Sequence, residues 1–242
     1  MGGATLVLAG CATPGPNHLY VLAPDNPEII ADHATAGNEI NEVPSFLGDD
    51  ETLLGLAYDP FTDHLFLRLA PGNRFRVVDR PDRSIKREFT APAVPETGGG
   101  DLAIRSRDRH LFLGHPTDAA IYEITLHGQP VRPIPLAQRS APPGGIAYDQ
   151  ARELIYVTAP DGRALQVYDR TGQLQRTIAL TFVIQPAVLA YDSAAREFYV
   201  QLPDHRLVVL DADGHLRREL TEPQPDSPAA FDVGPRSFLR IF

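Results

Sequence analysis

The chain has 242 residues, 43% of them hydrophobic, which is enough for one large all-β domain with a packed core. Its 22 basic and 31 acidic residues give a net charge of -9, which argues against the basic footprint that nucleic-acid binding requires. A single cysteine excludes an internal disulfide and a cysteine-rich metal site, and no run of 18 apolar residues exists that could form a transmembrane helix.

The first element in chain order is a short apolar segment that ends at this cysteine. Residues 5–11 read Thr-Leu-Val-Leu-Ala-Gly-Cys, and a stiff Pro-Gly-Pro tether follows at 14–16. The segment resembles a bacterial lipobox, in which Leu8-Ala9-Gly10 precede a lipid-modified cysteine. The resemblance implies that residues 1–16 are a signal segment and tether and that Cys11 is lipidated. It also implies a protein of the bacterial cell envelope that faces the periplasm or exterior and touches the membrane through a lipid anchor only.

A second interpretation of the same segment stays open. Residues 1–4 contain no basic side chain, although a signal peptide normally begins with one. Residues 6–10 could instead form the inner strand of a first sheet, because His18 follows at nearly the distance seen in the repeats described next.

From His18 onward, one strand-like run recurs through the chain. The residues at its centre are Tyr20, Phe66, Phe112, Tyr156, Tyr199 and Ile241, at spacings of 46, 46, 44, 43 and 42 residues. A second apolar run precedes most of these anchors, and a third and a fourth follow them across turns such as Asp213-Gly214. Each period therefore holds four short strands rich in β-branched and aromatic residues, and no helical periodicity is present. Four strands at this period predict a β-propeller blade.

The repeats resemble the NHL and YVTN families of propellers. The residues that carry this likeness are Gly-Ile-Ala-Tyr-Asp at 145–149, Leu-Ile-Tyr-Val-Thr-Ala-Pro-Asp-Gly at 154–162 and Leu-Gln-Val-Tyr-Asp at 165–169. The likeness covers nearly the whole chain from about Asn17, which implies an all-β propeller domain over residues 17–242. Those families mostly supply binding scaffolds, so the resemblance implies a scaffold here as well.

The strand count favours five blades, and six is the alternative. The strands at the two chain ends usually share one blade, so residues 229–233 could complete a blade begun by residues 18–43. That arrangement leaves residues 238–242 without an evident place.

Two sets of repeated polar residues are predicted to be structural. His18, His64 and His110 occupy one repeat position, so they lie in successive blades and cannot share a metal ion. A second set, Asp59, Asp149 and Asp192, follows Ala-Tyr at the end of a strand, where aspartate bonds its own backbone in a turn.

The candidate ligand-binding residues are those in loops that break the repeat. We expect them on the face formed by the loops from fourth to first strand and from second to third strand, around the mouth of the channel. The candidates are Asp49, Asp50, Glu51, Glu96, Asp101, His115 and Arg139. The acidic members could bind a divalent cation such as Ca²⁺ through their oxygens, or could form a solvated rim.

Two functions follow from this interpretation. The first is a non-enzymatic, lipid-anchored scaffold without a cofactor that binds a protein, peptide or glycan at its channel mouth, since the chain contains none of the common nucleotide-binding, metalloprotease or esterase motifs. The alternative is a metal-dependent hydrolase that resembles the gluconolactonase-type propellers. It would depend on Asp49, Glu51 and Asp101 as candidate cation ligands.

Overall fold

The chain forms a β-propeller of five blades. The computed structural model describes residues 17–35, 40–95, 100–221 and 225–235, and within these ranges it contains five antiparallel four-stranded sheets. No helix able to span a membrane occurs in those ranges. The prediction of an all-β propeller with five four-stranded blades is confirmed, and the six-blade alternative is wrong.

The strands are numbered in chain order, and each blade is given from the channel outwards. The first blade contains β20 (Ala230–Pro235), β1 (Asn17–Leu22), β2 (Ile29–Ala34) and β3 (Ile40–Pro44). The second contains β4 (Thr52–Asp59), β5 (His64–Ala70), β6 (Arg74–Asp79) and β7 (Ser84–Thr90). The third contains β8 (Leu102–Arg105), β9 (His110–Gly114), β10 (Ala120–Thr125) and β11 (Pro130–Pro135). The fourth contains β12 (Ile146–Asp149), β13 (Leu154–Thr158), β14 (Ala164–Tyr168) and β15 (Leu174–Ala179). The fifth contains β16 (Ala190–Asp192), β17 (Glu197–Gln201), β18 (Leu207–Leu210) and β19 (Leu216–Glu219).

The first blade closes the ring by pairing the two ends of the described chain. Strand β20 lies antiparallel to β1, with Leu22 opposite Ala230 and Asn17 opposite Pro235. The predicted completion of this blade by residues 229–233 is therefore confirmed. The predicted inner strand at residues 6–10 lies outside the described residues, and β20 holds that place in the sheet. Residues 238–242 also lie outside the described part of the chain.

Five hydrophobic clusters form the core, and each lies between two neighbouring blades. The cluster between the third and fourth blades, for example, joins Phe112 and Ile121 to Tyr148 and Ile155. Because the inner strands are packed on both faces, their sequences are continuous apolar runs and not an alternating pattern. The outermost strands β7 and β19 are mostly exposed, which explains why their sequences are mixed and polar.

One aromatic contact recurs around the ring. Tyr58, Tyr148 and Tyr191 each lie on an inner strand and contact an aromatic residue of the preceding blade. The ring centroids are 4.4 Å apart for Tyr20 and Tyr58, and 5.3 Å apart for Phe112 and Tyr148. Those for Tyr156 and Tyr191 are 4.6 Å apart. The repeated aromatic anchors of the sequence are thus contacts between blades.

The predicted turn residues have their expected roles. Asp59 accepts a hydrogen bond from the amide of Phe61, and Asp149 accepts one from Ala151. Asp192 accepts bonds from the amides of Ala194 and Ala195. These three residues are confirmed as turn aspartates.

Candidate functional site

The inner strands meet at the propeller axis, and at one position in their pairing the residue type is the same in four blades and different in the other. Each of four inner strands places an alanine opposite the aromatic anchor of the next strand; these are Ala57, Ala103, Ala147 and Ala190. In the first blade the residue opposite Tyr20 is Asp232. An acidic side chain therefore stands at a position that the other four blades give to a methyl group.

A cavity of about 310 Å³ lies at the end of the channel that is formed by the carboxyl ends of the inner strands. All five inner strands contribute to its wall, together with the loops that lead from the first to the second strand of a blade. The lining residues include Tyr58, Tyr148, Tyr191, Ala103, Ala147 and Asp232. The cavity opens at the face opposite to the one on which sequence reasoning placed the ligand, since its lining comes from the carboxyl ends of the inner strands.

Asp232 is held in place by backbone amides. Its Oδ2 accepts a hydrogen bond of 2.8 Å from the Tyr58 amide on the next blade, and its Oδ1 accepts one of 2.8 Å from Val233. Burial raises the pKa of Asp232 to about 7, although both hydrogen bonds favour the ionised form. Asp232 can therefore change its charge near neutral pH.

The opposite end of the channel contains a second carboxylate, Asp101. Its Oδ2 accepts hydrogen bonds of 2.7 Å from the Ile146 amide and 3.0 Å from the Leu189 amide, and the Leu102 amide also bonds this side chain. Asp101 thus joins the starts of three inner strands from three blades. Burial raises its pKa well above the usual range, and Asp232 adds repulsion in the same direction.

Asp49, Asp50 and Glu51 form the loop before β4. The first two are exposed in a turn, while Glu51 is bound by arginines from the same blade. Its carboxylate lies 2.6 Å from Arg74 Nη2 and 2.6 Å from Arg76 Nη1. Burial opposes ionisation of Glu51, but the Arg76 contact outweighs it and lowers the pKa.

His115 and Arg139 are likewise engaged with their own loops. His115 Nδ1 accepts a hydrogen bond from the Asp118 amide, and its ring lies 5.0 Å from that of Tyr122. Arg139 donates to the carbonyl oxygens of Ala141 and Thr158. Glu96 and Cys11 lie outside the described residues. The predicted ligand-binding role of this set stays a prediction; none of its described members lines the cavity.

The repeated histidines pair with acids of their own blades. His18 contacts Asp32, and His64 Nε2 lies 3.6 Å from Asp79. His110 Nδ1 lies 2.7 Å from Glu123. The predicted placement of these histidines in successive blades is confirmed, and each has its own acidic partner.

One group among the described residues has the spacing of a metal site, but an arginine is bound to it. Asp108, His110 and Glu123 offer ligand atoms within 4.8 Å of one another. Arg105 Nε lies 2.5 Å from Asp108, and its Nη2 donates to Glu123 at 2.7 Å. A guanidinium thus supplies the positive charge that a cation would bring. The candidate hydrolase ligands Asp49, Glu51 and Asp101 do not form such a group.

Asp232 was not among the predicted site residues. In the sequence it follows Ala-Phe much as Asp149 follows Ala-Tyr, which makes it look like another turn aspartate. The sequence feature that could have identified Asp232 is its distance from the last repeat anchor, Ile241. Asp232 precedes Ile241 by nine residues, just as Ala57 precedes Phe66 and Ala147 precedes Tyr156.

Comparisons with known proteins support the fold and nothing narrower. No protein-family description and no curated protein sequence matches the chain. A chain from a structure titled "Crystal structure of Nidogen/Laminin Complex" is similar over 90% of this protein and 98% of its own length, with a TM-score of 0.62 and 11% identity. A chain of hydrazine synthase from Kuenenia stuttgartiensis is similar over 72% of this protein and 51% of its own length, with a TM-score of 0.49 and 14% identity. At 11% identity, the likeness to the nidogen/laminin chain shows the fold alone.

Proposed function

We propose that this protein is a binding module that holds a protein partner at the mouth of its propeller channel. The main support is the cavity at the axis, to which every blade contributes and in which Asp232 replaces the repeated alanine. A concave, mostly apolar site with one polar group is typical of ligand binding. The similar nidogen/laminin structure is itself a complex of proteins, which favours a protein over a glycan as the partner.

The polar residues of the repeat support binding more than catalysis. Those that a search for catalytic residues would notice already have partners in their own blade: His110 contacts Glu123, Asp149 accepts a turn amide and Glu51 contacts Arg76. A stoichiometric divalent cation in the purified protein, found by elemental analysis, would contradict this view and favour the metal-dependent hydrolase.

Photocrosslinking tests the proposal. The photoreactive residue p-benzoylphenylalanine is placed at position 194, because Ala194 lines the cavity and is exposed. The matched control is position 177 on β15, which is exposed on an outermost strand. We expect a discrete protein adduct from position 194 and none from position 177. Equal adducts from both positions would overturn the proposal.

A third position separates the two mouths of the channel. Asp50 is exposed in the loop before β4, on the side where the sequence predicted the ligand. An adduct from position 50 in place of 194 would move the partner to that mouth and to the neighbourhood of Glu51 and Asp101. It would therefore contradict the assignment of the cavity.

We also propose that the propeller is tethered to the bacterial cell envelope by lipid on Cys11. The support is the sequence Leu8-Ala9-Gly10-Cys11 and the tether that follows it. Globomycin blocks lipoprotein signal peptidase, so processing of the expressed protein should be sensitive to it and membrane fractionation should be lost in Cys11→Ser. A protein that stays unmodified and fractionates with the soluble material would end this part of the proposal.

A further inference from the structure

We propose that the channel cavity binds a primary alkylammonium group, with the carboxylate of Asp232 as its counter-ion. The proposal rests on the proposed function, in that it takes the cavity to be a binding site, and it names the chemistry of the ligand. An alkylammonium can be a free amine or the side chain of a lysine in the partner. The test below distinguishes these two sources.

The first argument is the lack of a positive charge beside Asp232. The described lining of the cavity contains no lysine, arginine or histidine, and the groups that bond Asp232 are two backbone amides. Several buried carboxylates in the described chain have such a cation: Asp63 contacts Arg80 at 2.6 Å, and Glu123 contacts Arg105 at 2.7 Å. A carboxylate in an enclosed site is costly without such a partner.

Asp101 and Asp192 show what a buried carboxylate without a cation normally does in this fold. Asp101 accepts three backbone amides, and Asp192 accepts two in its turn. Asp192 also borders the cavity, but one of its oxygens is held by the turn amides and the other by Asn17, whereas Asp232 accepts two amides only. Four blades place alanine at this position, so a blade forms without an acid there, and Asp232 adds a hydrogen bond from the Tyr58 amide of the next blade.

The second argument is the shape and chemistry of the wall. At about 30 Å³ per water, 310 Å³ holds on the order of ten water molecules, which is room for an ammonium and a four-carbon stem. Ala103 and Ala147 give an apolar surface for the methylenes. The aromatic rings of Tyr58, Tyr148 and Tyr191 add the kind of surface that attracts organic cations.

The geometry favours an ammonium over the other common cations. A metal ion such as Ca²⁺ needs six or more oxygen ligands, whereas one carboxylate faces this cavity beside the turn residue Asp192. A guanidinium prefers to bind both oxygens of a carboxylate in its plane, but each oxygen of Asp232 already accepts an amide. An ammonium is a compact charge that needs a single open lone-pair direction.

Binding should depend on pH, because a proton competes with the amine for Asp232. The other titratable groups around the cavity are Asp101, Asp192, Tyr58, Tyr148 and Tyr191. Burial raises the pKa of all three tyrosines, so they stay neutral below pH 9. Burial also raises the pKa of Asp232 to about 7. Affinity should therefore fall about tenfold for each pH unit below 7 and level off above it.

The experiment is calorimetric titration of the full chain with n-butylammonium, with n-butanol as the uncharged probe of the same shape. We expect saturable binding of butylammonium at pH 8 and none of butanol. Asp232→Ala, which installs the residue of the other four blades, should weaken binding by about 10- to 100-fold, as does loss of a hydrogen bond to a charged group. Thr177→Ala, on the exposed outermost strand β15, should leave binding unchanged.

A second variant keeps the test decisive if Asp232→Ala folds poorly. Asp232→Asn removes the charge and keeps the shape, so it should weaken butylammonium binding to a similar extent. A peptide with one lysine, compared with the same peptide carrying acetyl-lysine, identifies the source. Tighter binding of the lysine peptide than of butylammonium assigns the site to a protein side chain, and the reverse assigns it to a free amine.

Butylammonium binding that persists in both Asp232 variants, or equal binding of butanol, would overturn the assignment. Crosslinking from position 194 in the Asp232→Ala background separates this failure from that of the proposed function. Suppose that a partner is still captured at position 194 in this variant, but the wild type does not bind butylammonium. The cavity then binds a partner group other than an alkylammonium. If position 194 captures no protein partner even when Asp232 is unchanged, the binding-module proposal is wrong.

Discussion

Two carboxylates near the axis, Asp101 and Asp232, have different roles although both are surrounded by protein. Asp101 accepts three backbone amides from three blades, so it replaces hydrogen bonds that the converging strands cannot make with each other. Asp232 accepts two amides and borders the cavity. The first side chain stabilises the ring, and the second adds a titratable group to it.

The titration of Asp232 predicts a change in stability with pH. Its pKa is about 7 in the folded protein, against an ordinary 3.8, so the folded state holds the proton more tightly than the unfolded chain. The stability that this side chain contributes is therefore complete below pH 4 and is lost as pH rises to 7. The difference amounts to about 2 to 4 kcal/mol, the lower value allowing for water in the cavity.

The measurement is urea unfolding of the wild type and Asp232→Ala between pH 4 and 9. We expect the wild type to lose free energy of unfolding relative to the variant as pH rises from 4 to 7, and the difference between them to stay constant above pH 8. Asp50→Ala is the control and should follow the wild type at every pH, because its side chain is exposed. Parallel pH profiles for the wild type and Asp232→Ala would show that Asp232 titrates normally.

Truncation of the Asp101 side chain should strongly reduce the free energy of unfolding. Asp101→Ala leaves the amides of Leu102, Ile146 and Leu189 without their acceptor, at about 1 to 3 kcal/mol for each buried group. We expect a loss of at least 3 kcal/mol in urea unfolding at pH 7. Asp101→Asn should recover part of it, since its amide oxygen can still accept two of these bonds. A wild-type unfolding midpoint for Asp101→Ala would contradict the structural role.

The limits of prediction from sequence are clearest at Asp232 and Glu51. Residue type and loop position made Glu51 a candidate, but its two arginine contacts depend on the pairing of strands. Asp232 looked like a turn residue because Ala-Phe-Asp imitates Ala-Tyr-Asp. Its spacing of nine residues from Ile241 and its position opposite Tyr20 distinguish it from the turn aspartates. The sequence therefore identified the turn aspartates and missed the carboxylate in the cavity.

At the scale of elements, the period of four strands was predictable because each strand has its own composition. Inner and middle strands are packed between blades and read as apolar runs, while the outermost strands are exposed. Strand β11 shows how far an outermost strand can depart from normal composition, with prolines at 130, 133 and 135. Such prolines are tolerated because an edge strand leaves one row of amides unpaired.

Strand β20 closes the ring, and we expect its aromatic residue Phe231 to contribute strongly to the free energy of unfolding. Phe231 is 1% exposed and packs against residues of the first and fifth blades. Phe231→Ala should reduce the free energy of unfolding by about 3 to 5 kcal/mol, because a cavity remains between the blades. Leu216→Ala on β19 is the control, since Leu216 is 57% exposed, and should change stability by less than about 0.5 kcal/mol. Similar small losses in both variants would mean that β20 contributes little to closure.

At the scale of the whole molecule, the sequence offered residues 229–233 as one way to close the ring, but it did not predict which mouth contains the cavity. Closure follows from counting strands, since the first blade lacks an inner strand until residues 229–233 are added. Which mouth of the channel contains the cavity depends on how closely the five inner strands approach each other at each end. At the end of Asp101 they are tight enough that a Cβ on Gly55 would lie 2.5 Å from the Gly100 oxygen. That spacing is a property of the assembled ring and has no local signal.

Among the described residues, strand pairing between the two ends of the chain occurs at one place, where β20 pairs with β1. A chain ending at Pro228 would expose the edge of β1 and the apolar cluster that contains Leu19, Tyr199 and Val209. We expect this chain to bind a hydrophobic dye and to lose the single cooperative unfolding transition of the full chain. A synthetic peptide of residues 229–235 should restore the transition, and a peptide with alanine at position 231 should do so less well. An unchanged cooperative transition in the shortened chain would show that four complete blades and a three-stranded sheet are stable without closure.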